Sequence, residues 1–221
     1  VSTLTFTGDA RATTSTLNAG DVIDGGAGAD TYTVTITGAA VTDAGEIVNV
    51  VASNVEKLHV RNFETDASGN AGAAATIQQD SVEFDLANVT GLTEFGVIAS
   101  NNVEADTVFA NAPLVANVVH AGHGDTRVEF TAAAIAGAAD STTLTLNDAG
   151  TSAANTAAIN MNGVETVSVV SSTAANFLTL EDGGYTTVNT SGASALNIEV
   201  ADTAVTVFSA ADATGAVTAD L

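Results

Sequence analysis

The sequence predicts an all-β fold, a β-solenoid-like stack of short strands. Three observations predict it. Apolar and polar residues alternate with a period of two along most of the chain, and a related segment returns at close to twenty residues. The residues available for an interior are Ala, Val and Thr far more than aromatics, which make up 5% of the chain with no Trp. One coil of such a stack cannot bury its apolar side alone, whereas stacked coils share a narrow interior that small and branched side chains fit. One or two antiparallel β-sandwiches are the alternative, since they also give alternating strands every eight to twelve residues or so.

From the N-terminus, Val1 to Thr7 alternates around Leu4 and Phe6 and reads as a strand whose unpaired edge is a template for another chain. Next, Gly25 to Thr33 reads Gly-Gly-Ala-Gly-Ala-Asp-Thr-Tyr-Thr and fills every fixed position of the nonapeptide G-G-x-G-x-D-x-U-x, with Tyr32 as the large apolar residue. Its glycines allow backbone turns closed to residues with a Cβ, so that carbonyl oxygens converge, and Asp30 adds a hard anionic oxygen. Such a loop suits Ca2+. Thr16 to Asp24 fits the same frame in degenerate form, with Asp21 at the Asp position and Ile23 at the apolar one. Asp21, Asp24 and Asp30, with carbonyls of Gly25, Gly26 and Gly28, form the candidate metal site. The alternative is a glycine-rich hairpin whose aspartates cap turns.

The later strands follow from the same alternation. Tyr32, Val34 and Ile36 mark one; Leu58 with Val60, Phe84 with Leu86, and Val128 with Phe130 mark others. Further pairs are Leu144 with Leu146, Ile159 with Met161, Val167 with Val169, Leu178 with Leu180, Ile198 with Val200, and Val205 with Val207. Thr131 to Ala139 is the best helix candidate, because it is Ala-rich.

Three segments repeat: Ser53-Asn54-Val55-Glu56-Lys57-Leu58-His59-Val60, Val89-Thr90-Gly91-Leu92-Thr93-Glu94-Phe95-Gly96-Val97, and Met161-Asn162-Gly163-Val164-Glu165-Thr166-Val167-Ser168-Val169. With Leu92, Leu114, Val164, Tyr185 and Val205 as equivalent apolar positions, the separations are 22, 50, 21 and 20 residues. The 221 residues are expected to form a single β-rich domain, with a soft boundary near residues 66–76, around Gly69 to Ala75.

Charge narrows the functions. The chain has 4 Lys and Arg against 26 Asp and Glu, a net charge of −22. Phosphate binding needs a basic face, so nucleic acid and anionic membranes are excluded as partners. Acidity at this level opposes compaction unless cations are present, which agrees with a calcium-rich medium outside the cell. Yet the apolar fraction is 46% and the charged fraction 14%, unlike a disordered acidic tail. Cysteine is absent, so no disulfide contributes. No apolar run approaches the roughly 20 residues that span a bilayer, and no basic-then-apolar leader opens the sequence. A targeting signal is therefore expected to have been removed, to lie at the C-terminus, or to belong to a longer protein of which this is a piece.

The run Leu17 to Thr31, followed by strands and then Ser53 to Val60, resembles the RTX-containing surface-layer (S-layer) proteins and large type I-secreted adhesins of Gram-negative bacteria. In that family an interrupted calcium repeat, a strand, and then (N/G)-(V/I)-E-x-(L/V)-x-V commonly follow one another; Gly163 to Val169 is a second instance of the last. The resemblance implies type I secretion, folding outside the cell on meeting calcium, and assembly at the bacterial cell surface. Family members usually carry several intact nonapeptides in tandem, whereas this chain has one and a remnant.

Other chemistry is weaker. His120-Ala121-Gly122-His123-Gly124-Asp125 has a spacing able to hold zinc or copper, and reads first as a solvated turn, since no Cys or third His is near in sequence. His59 is expected to be exposed on the polar face of its strand. Glu181-Asp182-Gly183-Gly184 reads as a turn before it reads as a second calcium loop. No G-x-S-x-G elbow appears, and carboxylate pairs lack the aromatic platforms that hold sugars, so no enzyme is expected. The expected function is a structural, calcium-dependent, self-assembling extracellular surface protein, an S-layer or filament subunit that partners itself. The alternative is an adhesin module that binds a cell-surface glycan or other ligand.

Overall fold

The computed structural model describes residues 5–9, 21–39, 46–65, 81–100, 102–103 and 105–221. The expected edge residues Val1 to Leu4, the Thr16 to Gly20 part of the degenerate repeat and the expected soft boundary at 66–76 lie outside the described residues. The chain runs through β1 (Thr5–Asp9), β2 (Ile23–Asp24), β3 (Thr31–Ala39), β4 (Glu46–Ser53), β5 (Lys57–Thr65), β6 (Val82–Val89), β7 (Glu94–Ala99), β8 (Thr107–Ala112) and β9 (Asn117–Gly122). It continues through β10 (Thr126–Phe130), β11 (Ser141–Ala149), β12 (Ala157–Asn162), β13 (Thr166–Ser172), β14 (Asn176–Leu180), β15 (Thr187–Gly192), β16 (Leu196–Val200), β17 (Val207–Ala213) and β18 (Val217–Asp220).

Strands alternate between two nine-stranded sheets: odd-numbered strands form one, even-numbered strands the other, each in sequence order. Every pairing between named strands is parallel. The fold is thus the expected all-β solenoid, with two strands to a coil, and the antiparallel sandwich is overturned. No helix of the described residues is long and apolar enough to cross a membrane.

Alternation decides which side chains enter the space between the sheets. On β5, Leu58, Val60 and Asn62 are buried; on β10, Thr126, Val128 and Phe130 are. Phe84 and Phe109 of the even sheet stack with centroids 5.9 Å apart, and Phe95 of the odd sheet reaches Phe109 at 5.0 Å, tying the two sheets together.

The period of twenty is a property of the C-terminal coils. Residues bonded across one coil lie 26 apart at Asp30 and Glu56, 37 at Glu56 and Thr93, and 25 at Asp140 and Glu165. They lie 21 apart at Glu165 and Thr186 and 20 at Thr186 and Thr206. In the coil from Asp140 to Glu165 the extra residues leave the ladder at the corner 150–156, where they cost only loop entropy.

Three expectations are corrected. Thr131 to Ala139 is a non-helical connection with a single Ala134 N–H to Thr131 carbonyl turn at 2.9 Å, too short to offset helix nucleation, while Thr131 N–H is held by the Ala112 carbonyl. The registers Glu94↔Asn117 and Lys57↔Glu94 make Val115, not Leu114, the equivalent of Val55 and Leu92. On β17 the inward apolar residue is Phe208, opposite Val188, so Val207 faces out at 47% exposure and Val205 lies in the preceding corner.

Candidate functional site

The nonapeptide is the corner between β2 and β3. Asp24, the last residue of β2, immediately precedes it: its Oδ1 accepts the Gly26 N–H at 3.0 Å and the Asn54 side-chain amide at 2.8 Å. These two donors, Asn54 first, hold the exposed Asp24 carboxyl below its ordinary value. Gly25 gives its N–H to the Ser53 carbonyl at 2.9 Å, and a Cβ there would overlap the Asn54 carbonyl of the next coil. Gly26 has φ +79°, the left-handed region that a side chain disfavours. One glycine is therefore set by close approach and the next by backbone conformation.

Asp30 closes the corner and is fully buried. Its N–H donates to Glu56 Oε2 at 2.6 Å, and its carbonyl accepts the N–H groups of Glu56 and Lys57 at 3.2 and 3.1 Å. Asp21 is exposed, and its charge helps to push the buried Tyr32 hydroxyl up to about 12, behind burial as the main cause. Asp24, Gly25, Gly26 and Asp30 thus meet one another and the Asn54–Glu56 segment of the coil above. Among the described residues no three His, Asp or Glu side chains converge in a group able to hold a metal. Any ion at this corner would depend on backbone carbonyls for most of its six to eight or so oxygens.

Glu56 was legible only as part of a repeat, and its partner explains the repeat. Glu165 performs the same task, with Asp140 N–H donating to its Oε2 at 2.7 Å and Thr166 N–H to the Asp140 carbonyl at 3.0 Å. The glutamate of (N/G)-(V/I)-E-x-(L/V)-x-V is therefore a clasp on the amide that ends the previous corner. A second clasp uses Asp85, whose Oδ1 accepts Ala87 N–H at 3.0 Å and the Asn111 amide at 2.9 Å. Asn111 and Asn54 both take left-handed φ, 52° and 53°, the conformation Asn tolerates best after Gly.

The remaining candidates separate. His120 is not in a turn: it lies on β9, buried between Thr126 Oγ1 at 3.0 Å from Nδ1 and the Gly122 carbonyl at 3.3 Å from Nε2. A carbonyl only accepts, so Nε2 carries the proton and Nδ1 accepts from the threonine. Burial pushes this imidazole down to about 4, which keeps it neutral. Asp125 stands at another corner, its Oδ1 accepting Ala158 N–H at 2.7 Å and its own N–H held by Asp106 Oδ1 at 2.9 Å. Burial and then the Asp106 charge push Asp125 up to about 7. His120, His123 and Asp125 form no metal group.

The Gly183-Gly184 turn is turned toward an anion. Asp202 Oδ2 accepts the N–H groups of Gly183, Gly184 and Tyr185 at 3.3, 2.7 and 2.7 Å, and its Oδ1 accepts Ala204 N–H at 2.8 Å. These amides present their donors to a carboxylate of the chain itself. His59 is on the outward face of β5 as expected but is not exposed: its side chain is 16% accessible and lies 2.8 Å from Glu94 Oε1.

No protein-family model, no curated protein and no solved structure matches the chain.

Proposed function

We propose that this chain is a structural, calcium-dependent, self-assembling protein of the bacterial cell surface, the subunit of an extracellular layer or filament. The observation that carries this reading is the Gly25–Asp30 corner, where a complete calcium nonapeptide joins two coils and delivers the buried Asp30 carboxylate. Asp30, Asp24 and Asp21, with the carbonyls of Gly25, Gly26 and Gly28, are the residues that would hold Ca2+. The ion would offset the cost of burying an anion and reduce the self-repulsion of a chain of net charge −22 locally, at this corner.

An ion held only by the folded state adds stability as RT ln(1 + [L]/Kd), about 2.7 kcal/mol at a hundredfold excess over Kd. Chelation should therefore lower the melting temperature and disperse assemblies, and restoring calcium should reverse both. Asp30→Ala should weaken calcium binding in calorimetry; equal affinity in the variant would remove Asp30 from the site. Electron microscopy showing the same dispersed monomers with and without calcium would sink the proposal.

One feature favours the adhesin reading. A groove of about 370 Å3 on the even sheet is lined by Thr156, Asn197, Glu199, Thr218 and Asp220, polar groups of the kind that bind sugar hydroxyls. Saturable, calcium-dependent binding of monomers to a glycan array would promote it over assembly.

A further inference from the structure

The two outer faces of the solenoid differ in charge, and the odd-sheet face carries a local cationic stripe on β5. On the odd sheet, Lys57, His59 and Arg61 alternate along β5 with the buried Leu58, Val60 and Asn62, so half of the four Lys and Arg in the chain stand on one strand. The neighbouring acid is Glu94, engaged by Lys57 at 3.2 Å, His59 at 2.8 Å and Asn117 at 2.9 Å. Burial works to raise the Glu94 carboxyl, but these three donors together outweigh it and hold it below its ordinary value. Arg61 is exposed beyond them. Much of the rest of this face is uncharged, as at Thr31, Thr35, Thr143 and Ser168, and among the described residues its other exposed acids, Asp148 and Asp212, stand away from the stripe on β11 and β17.

On the even sheet, Glu83, Asp85, Glu129, Glu199 and Asp220 face out. Arg127 stands among them, 3.0 Å from Glu129. Burial raises the Glu83 carboxyl, and the charges of Glu129 and Asp85 raise it further, so like charges crowd this face. Beside Glu83, in register on β4, Ile47 is 58% exposed.

These patches are back to back. β5 lies between β4 and β6 in the chain, so the cationic stripe and the Glu83–Ile47 patch occupy opposite faces at one level along the solenoid. A copy displaced sideways, with its axis parallel, sets one against the other. Nine strands about 4.8 Å apart, each contributing about five residues, give a face of roughly 40 by 17 Å, close to what one partner of a stable complex buries.

We propose that copies of this chain pack side by side, the odd-sheet face of one on the even-sheet face of the next, with Lys57 and Arg61 meeting Glu83 beside Ile47. This rests on the self-assembling reading above and names its contact. The same patch is not used twice, so the contact is heterologous and continues into an open row instead of closing as a dimer. Charge sets the pairing of faces and their register, while Ile47 supplies apolar area.

The test is sedimentation of the whole chain in calcium, at low ionic strength and at about 0.5 M salt, where charges are screened within a few ångströms. Lys57→Glu/Arg61→Glu and Glu83→Lys should each weaken association about tenfold or more, and mixing the two variants should restore it. Lys57→Gln/Arg61→Gln and Glu83→Gln replace any variant whose melting temperature falls. Folded variants that assemble as the wild type does, or a mixture no better than either alone, overturn the face pairing and leave the assembly reading standing. Wild-type chains that stay monomeric at both salt concentrations overturn both. Assembly that answers to these charges but ignores chelation supports the face pairing and removes calcium from it.

Discussion

His120 and Asp125 meet at Thr126, and their protons pull stability in opposite directions. His120 ionises near 6.5 when exposed and about 4 when folded, so the unfolded chain binds its proton first. Its contribution is complete above pH 6.5 and is lost as pH falls toward 4, at about 1.4 kcal/mol per unit. Asp125 moves from 3.8 up to about 7, so the folded chain takes its proton first and gains stability as pH falls across that range. Between pH 6.5 and 4 the two slopes oppose. Relative to wild type, His120→Gln should gain about 2–3 kcal/mol on going from pH 6.5 to 4.5, and Asp125→Asn should lose a similar amount. Urea midpoints at the two pH values decide it; parallel shifts in both variants would refute the opposition. The sequence reads His120 in a solvated turn because no Cys or third His stands near it to complete a metal site. The alternation from Val118 already pointed it inward, and the polar side chain was read ahead of its position.

At the scale of strands and corners, clasps carry the coil-to-coil order. Asp202 satisfies four amides while only 5% exposed, so Asp202→Ala would leave those donors without their acceptor at a buried corner. The expected loss is about 3–5 kcal/mol, against about 0.5 or less for Asp182→Ala at an exposed position in the same turn. Thermal melting of the two variants compares them directly, and equal melting temperatures would show that the amides find water instead. Strands with one solvated face were plain from alternation, as at Leu144 and Leu146. β8 was not, because Val108 and Ala110 on its outer face are also buried, at 4% and 6%, and the two-residue period disappears. The nonapeptide showed where its glycines are needed. It did not show that Asn54 and Glu56 of the next coil complete the corner, since contacts between coils leave no local pattern.

Over the whole molecule, the parallel ladder was foreseeable from a period near twenty and a core poor in aromatics. Coils of 26 and 37 residues toward the N-terminus hide the same architecture, because their added length breaks the period while the strands still pair in parallel. Three of the eight phenylalanines, Phe84, Phe95 and Phe109, sit together between the sheets and tie them to one another.

Because each strand bonds only to the coils above and below it, tension along the axis has no long-range contact to resist it. A tethered molecule stretched between its ends should give way turn by turn, each rupture releasing about 70–130 Å of slack for 20 to 37 residues. Optical-tweezer traces should show a staircase of such steps, and one all-or-none extension would contradict it. A rod of this construction would yield under load by small amounts and leave its remaining turns seated.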